Sequence, residues 1–82
     1  MDDTEQLART YAARLISYDD VDRSAQELFD IVEQVIHDDK EYPKTKRFIL
    51  QIVKVMDEID ADYNYKIAKR YYAMAKEAYG GT

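Results

Sequence analysis

Glycine occurs in this chain only at positions 80 and 81, and proline only at 43. Apart from Pro43, everything from the first residues to Tyr79 must therefore fold without the two residues that most readily end helices and turn strands. What fills that span is apolar side chains at helical spacing. Leu7, Tyr11, Leu15 and Tyr18 recur every three or four residues. Val21, Ala25, Leu28, Val32 and Val35 do the same, with Phe29 and Ile36 widening that stripe. The spacing predicts helices, and no strand-like alternation competes with it. Asp2 and Asp3 with Glu5 and Gln6 offer a capping-box start, "SAQE" at 24–27 offers a second, and Asp20 offers a cap one turn before it. "HDDKEYP" ends the second helix, Pro43 suits the first position of a third, and "YGG" suits a stop.

Residues 44–79 contain no breaker at all. Ile49, Ile52, Met56, Ile59, Tyr63, Ile67, Tyr71, Met74 and Ala78 would make one stripe on a helix of about 54 Å. The cluster "DADYN" at 60–64 argues for a cut, because Asp and Asn compete with the helical backbone and favour caps. Cutting there gives four segments of matched length. The expected fold is thus all-α, an antiparallel four-helix bundle forming one domain over 1–82, with chain reversals near 18–22, 38–43 and 60–64. The alternative is two short helices plus one long carboxy-terminal helix, covered by a second chain. The expected core includes Leu15, Leu28, Val32, Ile49, Ile52, Met56, Ile67 and Met74. A chain of 82 residues buries only roughly 60–65% of its unfolded surface, so its stability is expected to be marginal.

Charge is unevenly spread. Residues 1–39 carry three arginines against eleven acids, a net of −8, while residues 40–82 carry nine basic side chains against six acids, a net of +3. Either the halves attract each other across the fold, or the second half attracts something anionic at short range. There are no cysteines, which removes disulfides and thiolate metal sites. The start "MDDTEQLA" is acidic and the longest apolar runs, such as "FIL", are far too short to span a bilayer. A cytoplasmic protein without direct membrane insertion is expected.

Little points to catalysis. His37 is the only histidine, and Ser17 and Ser24 have no histidine and acid around them in the pattern of a nucleophile. Glu33 and His37 lie four apart, but the repeated carboxylates and Glu-x-x-His pairs of a di-iron bundle are absent. Asp38, Asp39 and Glu41 lack the rhythm of a calcium loop. With glycine confined to the end of the chain, no phosphate loop is present. A non-enzymatic protein with no cofactor and no metal is expected.

The segment "YNYKIAKRYYAMAKEAY" at 63–79 holds five of the eight tyrosines. At about 100° per residue, Tyr63, Ile67, Tyr71, Met74 and Ala78 share one arc, an ordinary core stripe. Tyr65, Tyr72 and Tyr79 are seven apart and lie about 120–160° around from Ile67, with Ala61, Ala68 and Ala75 filling the arc between. Either the helix nestles between two neighbours and these rings sit at its rim, or Tyr65, Tyr72 and Tyr79 with Lys69 and Lys76 form a contact face. That face would take another protein or a second copy of the chain. Nucleic acid is not expected as partner: the net charge is −5, and helix-mounted tyrosines do not build the usual base-stacking platforms.

The segments "LARTYAARLI", "ELFDIVEQVIHDDKEYP", "KRFILQIVKVMDEI" and "AKRYYAMAKEAYGG" together resemble the small immunity proteins of the pediocin-like (enterocin A type) bacteriocins over residues 5–82. The chain is acidic where many members are basic, and "DADYN" lacks the proline often found at that connection. The resemblance implies a cytosolic four-helix bundle that protects the producing cell. It implies action through the membrane receptor to which the bacteriocin binds, with the carboxy-terminal half governing which bacteriocin is resisted.

Overall fold

Four helices in chain order make up the fold: α1 (Asp3–Ser17), α2 (Val21–Asp38), α3 (Tyr42–Ile59) and α4 (Ala61–Tyr79). The structure is a computed structural model that describes residues 3–38 and 42–80, with the backbone alone at 38 and 42–45. It is an all-α four-helix bundle, and the 44–79 stretch is two helices. The expected reversals at 18–22 and 60–64 fall at the breaks after α1 and α3, whereas the link between α2 and α3 lies outside the described residues.

Both described breaks are made by aspartate. Asp20 Oδ1 accepts from the backbone N–H of Asp22 at 3.0 Å and of Arg23 at 3.3 Å, satisfying two of the donors that open α2. The start of α2 is therefore Asp20's, and the "SAQE" box expected one turn later is not used. Ser24 is instead fully buried inside α2. Asp60 is the single non-helical residue between α3 and α4. Its extended backbone (φ −156°, ψ 92°) interrupts the helix while its side chain accepts from Tyr63 N at 3.1 Å. The Asp60 N–H still reaches Met56 O at 2.9 Å, so one residue closes α3 and opens α4. Tyr42 opens α3 one residue before Pro43, which therefore does not hold the first position. At the far end Gly80 donates to Lys76 O at 2.7 Å with φ −98°. A Cβ there would stand 2.9 Å from that same oxygen, so glycine answers a need for space and not for a left-handed backbone.

The main pairings are α1 on α3 and α2 on α4, with slighter contact between helices adjacent in sequence. The Cα extents are 42 × 31 × 14 Å. Two layers of helices with axes about 8–10 Å apart span about 13–15 Å between outer Cα atoms, so the bundle is two layers thick and flat. Its radius of gyration is 12.5 Å, against about 11.7 Å for a compact chain of this length.

One core runs through all four helices: Ala8, Ala12 and Leu15 from α1, Ala25, Leu28 and Val32 from α2, Phe48, Ile52 and Met56 from α3, and Ile67 from α4. Ile49 and Met74, expected inside, are half-buried at its edge. The α1 stripe is also turned relative to expectation. Leu7 is exposed and Tyr11 half-buried, whereas Ala8 and Ala12 are fully buried. Hydrophobicity favours Leu over Ala, but close approach of α1 to α3 favours the smaller side chain, and packing decides. Tyr11 then lies edge-on to Phe48, ring centroids 6.0 Å apart, at the border of that contact.

The carboxy-terminal end of α1 is closed by hydroxyls. Its last carbonyls have no partner within the helix. Ser17 Oγ donates to Arg14 O at 2.6 Å, buried Ser24 Oγ of α2 donates to Leu15 O at 2.8 Å, and Tyr63 Oη of α4 donates to Tyr18 O. Ser24 Oγ and Tyr63 Oη approach to 3.4 Å. Each has one proton, and both protons are committed to carbonyls, so this is a close approach of two oxygens and not a further bond. Three segments distant in sequence meet at this node.

Two outcomes follow. Ile52→Asp places an unpaired carboxylate at a site with no solvent exposure. It should cost several kcal/mol, enough to abolish the cooperative melt of so small a domain in circular dichroism; an unchanged melt would show that the core is elsewhere. Tyr63→Phe keeps the ring and removes the donor to Tyr18 O. Chemical denaturation should register a loss of about 1 kcal/mol, the usual scale for one hydrogen bond.

Candidate docking face on the last helix

Two faces of α4 have different surroundings. Asn64 and Ile67 are buried, while Tyr63, Tyr71 and Met74 are half-buried against the core; Ala78, expected on this stripe, is exposed. Tyr71 packs on Phe29 of α2 with ring centroids 6.1 Å apart. Its hydroxyl pKa is raised, first by burial and then by the nearby Glu33 carboxylate. On the other face Tyr65, Tyr72 and Tyr79 are 65%, 72% and 66% exposed. Ala68 is exposed beside them and Ala75 half-buried.

The three outer rings are not equivalent. Tyr79 stacks on Phe29, centroids 6.1 Å apart and planes 27° off parallel, so one of its faces is already covered. Tyr65 lies under the Lys69 ammonium, 5.4 Å from the ring centroid, in a cation–π contact one helical turn long. Tyr72, the middle ring and the most exposed, has no ring or hydrogen-bond partner among the described residues. The Phe29 contact had no signal in the sequence, because it depends on where α2 lies against α4.

The charge asymmetry is only slightly offset within the fold. Arg70 Nε meets Asp22 Oδ1 at 2.9 Å, an exposed bridge between the two halves and worth about 0.2–1 kcal/mol. Arg14 Nη2 meets Glu27 Oε1 at 2.5 Å, but both belong to the acidic half. Lys69 and Lys76 on α4, and Lys46, Arg47 and Lys54 on α3, join no ion pair among the described residues. The α3 cations border a shallow groove of about 380 Å³ around Leu50, which is 57% exposed and which the periodicity did not single out.

A second groove of about 520 Å³ lies between α1 and α2, but its charged groups are engaged. Arg14 pairs with Glu27 and lies over the Tyr11 ring, and Arg23 lies over Tyr18 at 4.1 Å. The Tyr18 hydroxyl pKa is raised, first by its hydrogen bond to Glu27. His37 is exposed in the last turn of α2, and among the described residues no three metal-ligating side chains gather. No described helix is long and apolar enough to cross a membrane.

Adjacent tyrosines on opposite faces give an internal control. Tyr71→Ala removes a half-buried ring and should destabilise by about 2–3 kcal/mol, as large-to-small core changes do. Tyr72→Ala removes a ring in solvent and should cost less than about 1 kcal/mol. Paired thermal melts decide it: equal losses would make the second stripe part of the core and remove the docking face.

No protein-family model, no curated protein and no solved structure matches the chain.

Proposed function

We infer that the chain is a non-enzymatic, protein-binding helical bundle whose contact face is the outer side of α4: Tyr65, Tyr72 and Tyr79, bordered by Lys69 and Lys76. The observation that carries this reading is the exposure of three large aromatic rings on a helix whose other face already supplies its share of the core. Exposed aromatic rings hold area in water that only a partner removes, and interface energy concentrates in such anchors. Tyrosine is suited to the role, with a wide apolar body, a polar tip and few rotatable bonds to freeze.

The specific form proposed is an immunity protein that protects a bacteriocin producer by contact with the membrane receptor–bacteriocin complex. Its supports are the sequence resemblance over residues 5–82 and the four-helix architecture with the tyrosines on the last helix. Cytoplasmic placement belongs to the same proposal. Production of the chain in a bacterium sensitive to pediocin-like bacteriocins should raise the inhibitory concentration of at least one of them. Tyr72→Ala, equally well folded, should lose most of that protection. A soluble, folded chain that protects against none of a panel of such bacteriocins removes the immunity form and leaves the docking face to its own test.

A further inference from the structure

The outer face of α4 is more regular than a patch. Ala61, Tyr65, Ala68, Tyr72, Ala75 and Tyr79 follow one another at steps of four, three, four, three and four. That is the seven-residue repeat of a coiled-coil seam, with tyrosine at every a position and alanine at every d. The seam runs the whole helix, about 27 Å, and is separate from the core stripe except at Tyr79, whose ring stacks on Phe29 of α2. Lys69 and Lys76 fall at e, the flanking position whose charge selects a partner, along the middle and end of the seam, with Asp62 at e in the first turn.

We propose that this seam takes a partner helix of defined chemistry: an amphipathic helix with a seven-residue apolar repeat and acidic residues on its flanks. This rests on the reading of the face as a docking surface and names what docks there. The molecule exposes 5984 Å², whereas a compact monomer of 9.7 kDa exposes about 5,100 Å², an excess that belongs to the whole molecule and not to this face alone. The flat two-layer shape accounts for it, since the outer side of each layer lacks a third layer to cover it.

Charge and layer volume together choose the acidic helix over a second copy. Two α4 helices side by side in parallel stack tyrosine on tyrosine and alanine on alanine, in alternating layers too thick and too thin for one interhelical distance. Reversing one helix evens the layers but brings the two e flanks together, where Lys69 meets Lys69 of the copy at the centre of the seam, which is repulsive, and only the terminal Asp62 offsets Lys76. A helix with uniform medium-sized seam residues and Glu or Asp on its flanks meets the ammonium groups of Lys69 and Lys76 with opposite charge. Those two lysines form no ion pair of their own among the described residues, so an acidic flank would not have to displace one.

Two synthetic helices about three heptads long, alike in leucine at a and d and differing only in Glu or Lys at e and g, test this with the intact chain by fluorescence anisotropy. The Glu-flanked peptide should bind, at least about tenfold more tightly than the Lys-flanked one, and less tightly as salt rises. Tyr72→Ala should weaken it by about thirtyfold, the usual effect of losing a central aromatic anchor. The double change Lys69→Glu and Lys76→Glu should reverse the preference between peptides. Equal binding of both, still lost on Tyr72→Ala, would overturn the acidic-helix inference while leaving the docking face in place. Binding of neither would overturn it too. A dimer by sedimentation that Tyr72→Ala dissolves and the Glu-flanked peptide does not would assign the seam to a second copy. Failure of the docking face itself would appear elsewhere, in equal melts of Tyr71→Ala and Tyr72→Ala.

Discussion

The carbonyls at the end of α1 would be orphans in an isolated helix, and their partners come from elsewhere in the fold. Ser24 supplies a proton from α2 and Tyr63 one from the first turn of α4. These bonds fix the carboxy-terminal end of α1 relative to two helices that it does not otherwise pack against closely, since its main partner is α3. Ser24 is fully buried, so its hydroxyl must find an acceptor, and the α1 terminus is the acceptor within reach. The position of α4, and hence the direction of its outer face, depends on this node together with the burial of Ile67.

Flatness is the second constraint. With two layers and a 14 Å extent, every helix has one covered side and one wet side. Among the described residues the core is correspondingly lean: three alanines and seven larger apolar side chains. It leaves Leu50 on α3 and three tyrosines on α4 in solvent. An ordinary bundle would use such residues as core, so their exposure belongs to the architecture and not to a shortage of apolar sequence. The two exposed features also share a sign of charge: among the described residues Lys46, Arg47 and Lys54 on α3 and Lys69 and Lys76 on α4 join no ion pair, while the acids concentrate on α1 and α2. A molecule of net charge −5 thus keeps two locally basic, partly apolar surfaces, one on α3 and one on α4.

Most of the fold could be read from local chemistry. With no glycine before position 80 and one proline, at 43, the helical spacing of apolar side chains left helix as the only regular structure. The Asp and Asn content of "DADYN" marked the break that Asp60 makes, because an aspartate that can bond the N–H three residues on competes with helix continuation using its own side chain. The two faces of α4 were legible from spacing, since helical geometry fixes which residues share a side. Where reading failed, a second helix was involved. Ser24 resembles an N-cap until Leu15 O is seen beside it. Leu7 outranks Ala8 in hydrophobicity, yet α3 comes too close for leucine to occupy the interior there.

Sequence alone therefore determined what each segment becomes: helix, break, the core-facing side of α2, α3 and α4, the outer stripe of α4, acidic half and basic half. These depend on covalent geometry, capping and a period of about 3.6 residues, all of which act within a few turns. The tertiary structure decided which stripe finds a neighbour. The pairing of α1 with α3 and α2 with α4, the two-layer thickness, and the stacking of Tyr79 on Phe29 while Tyr72 stands clear all depend on contacts between residues far apart in the chain. No local period encodes those distances; they are set by how side chains of unequal size fill the space between layers.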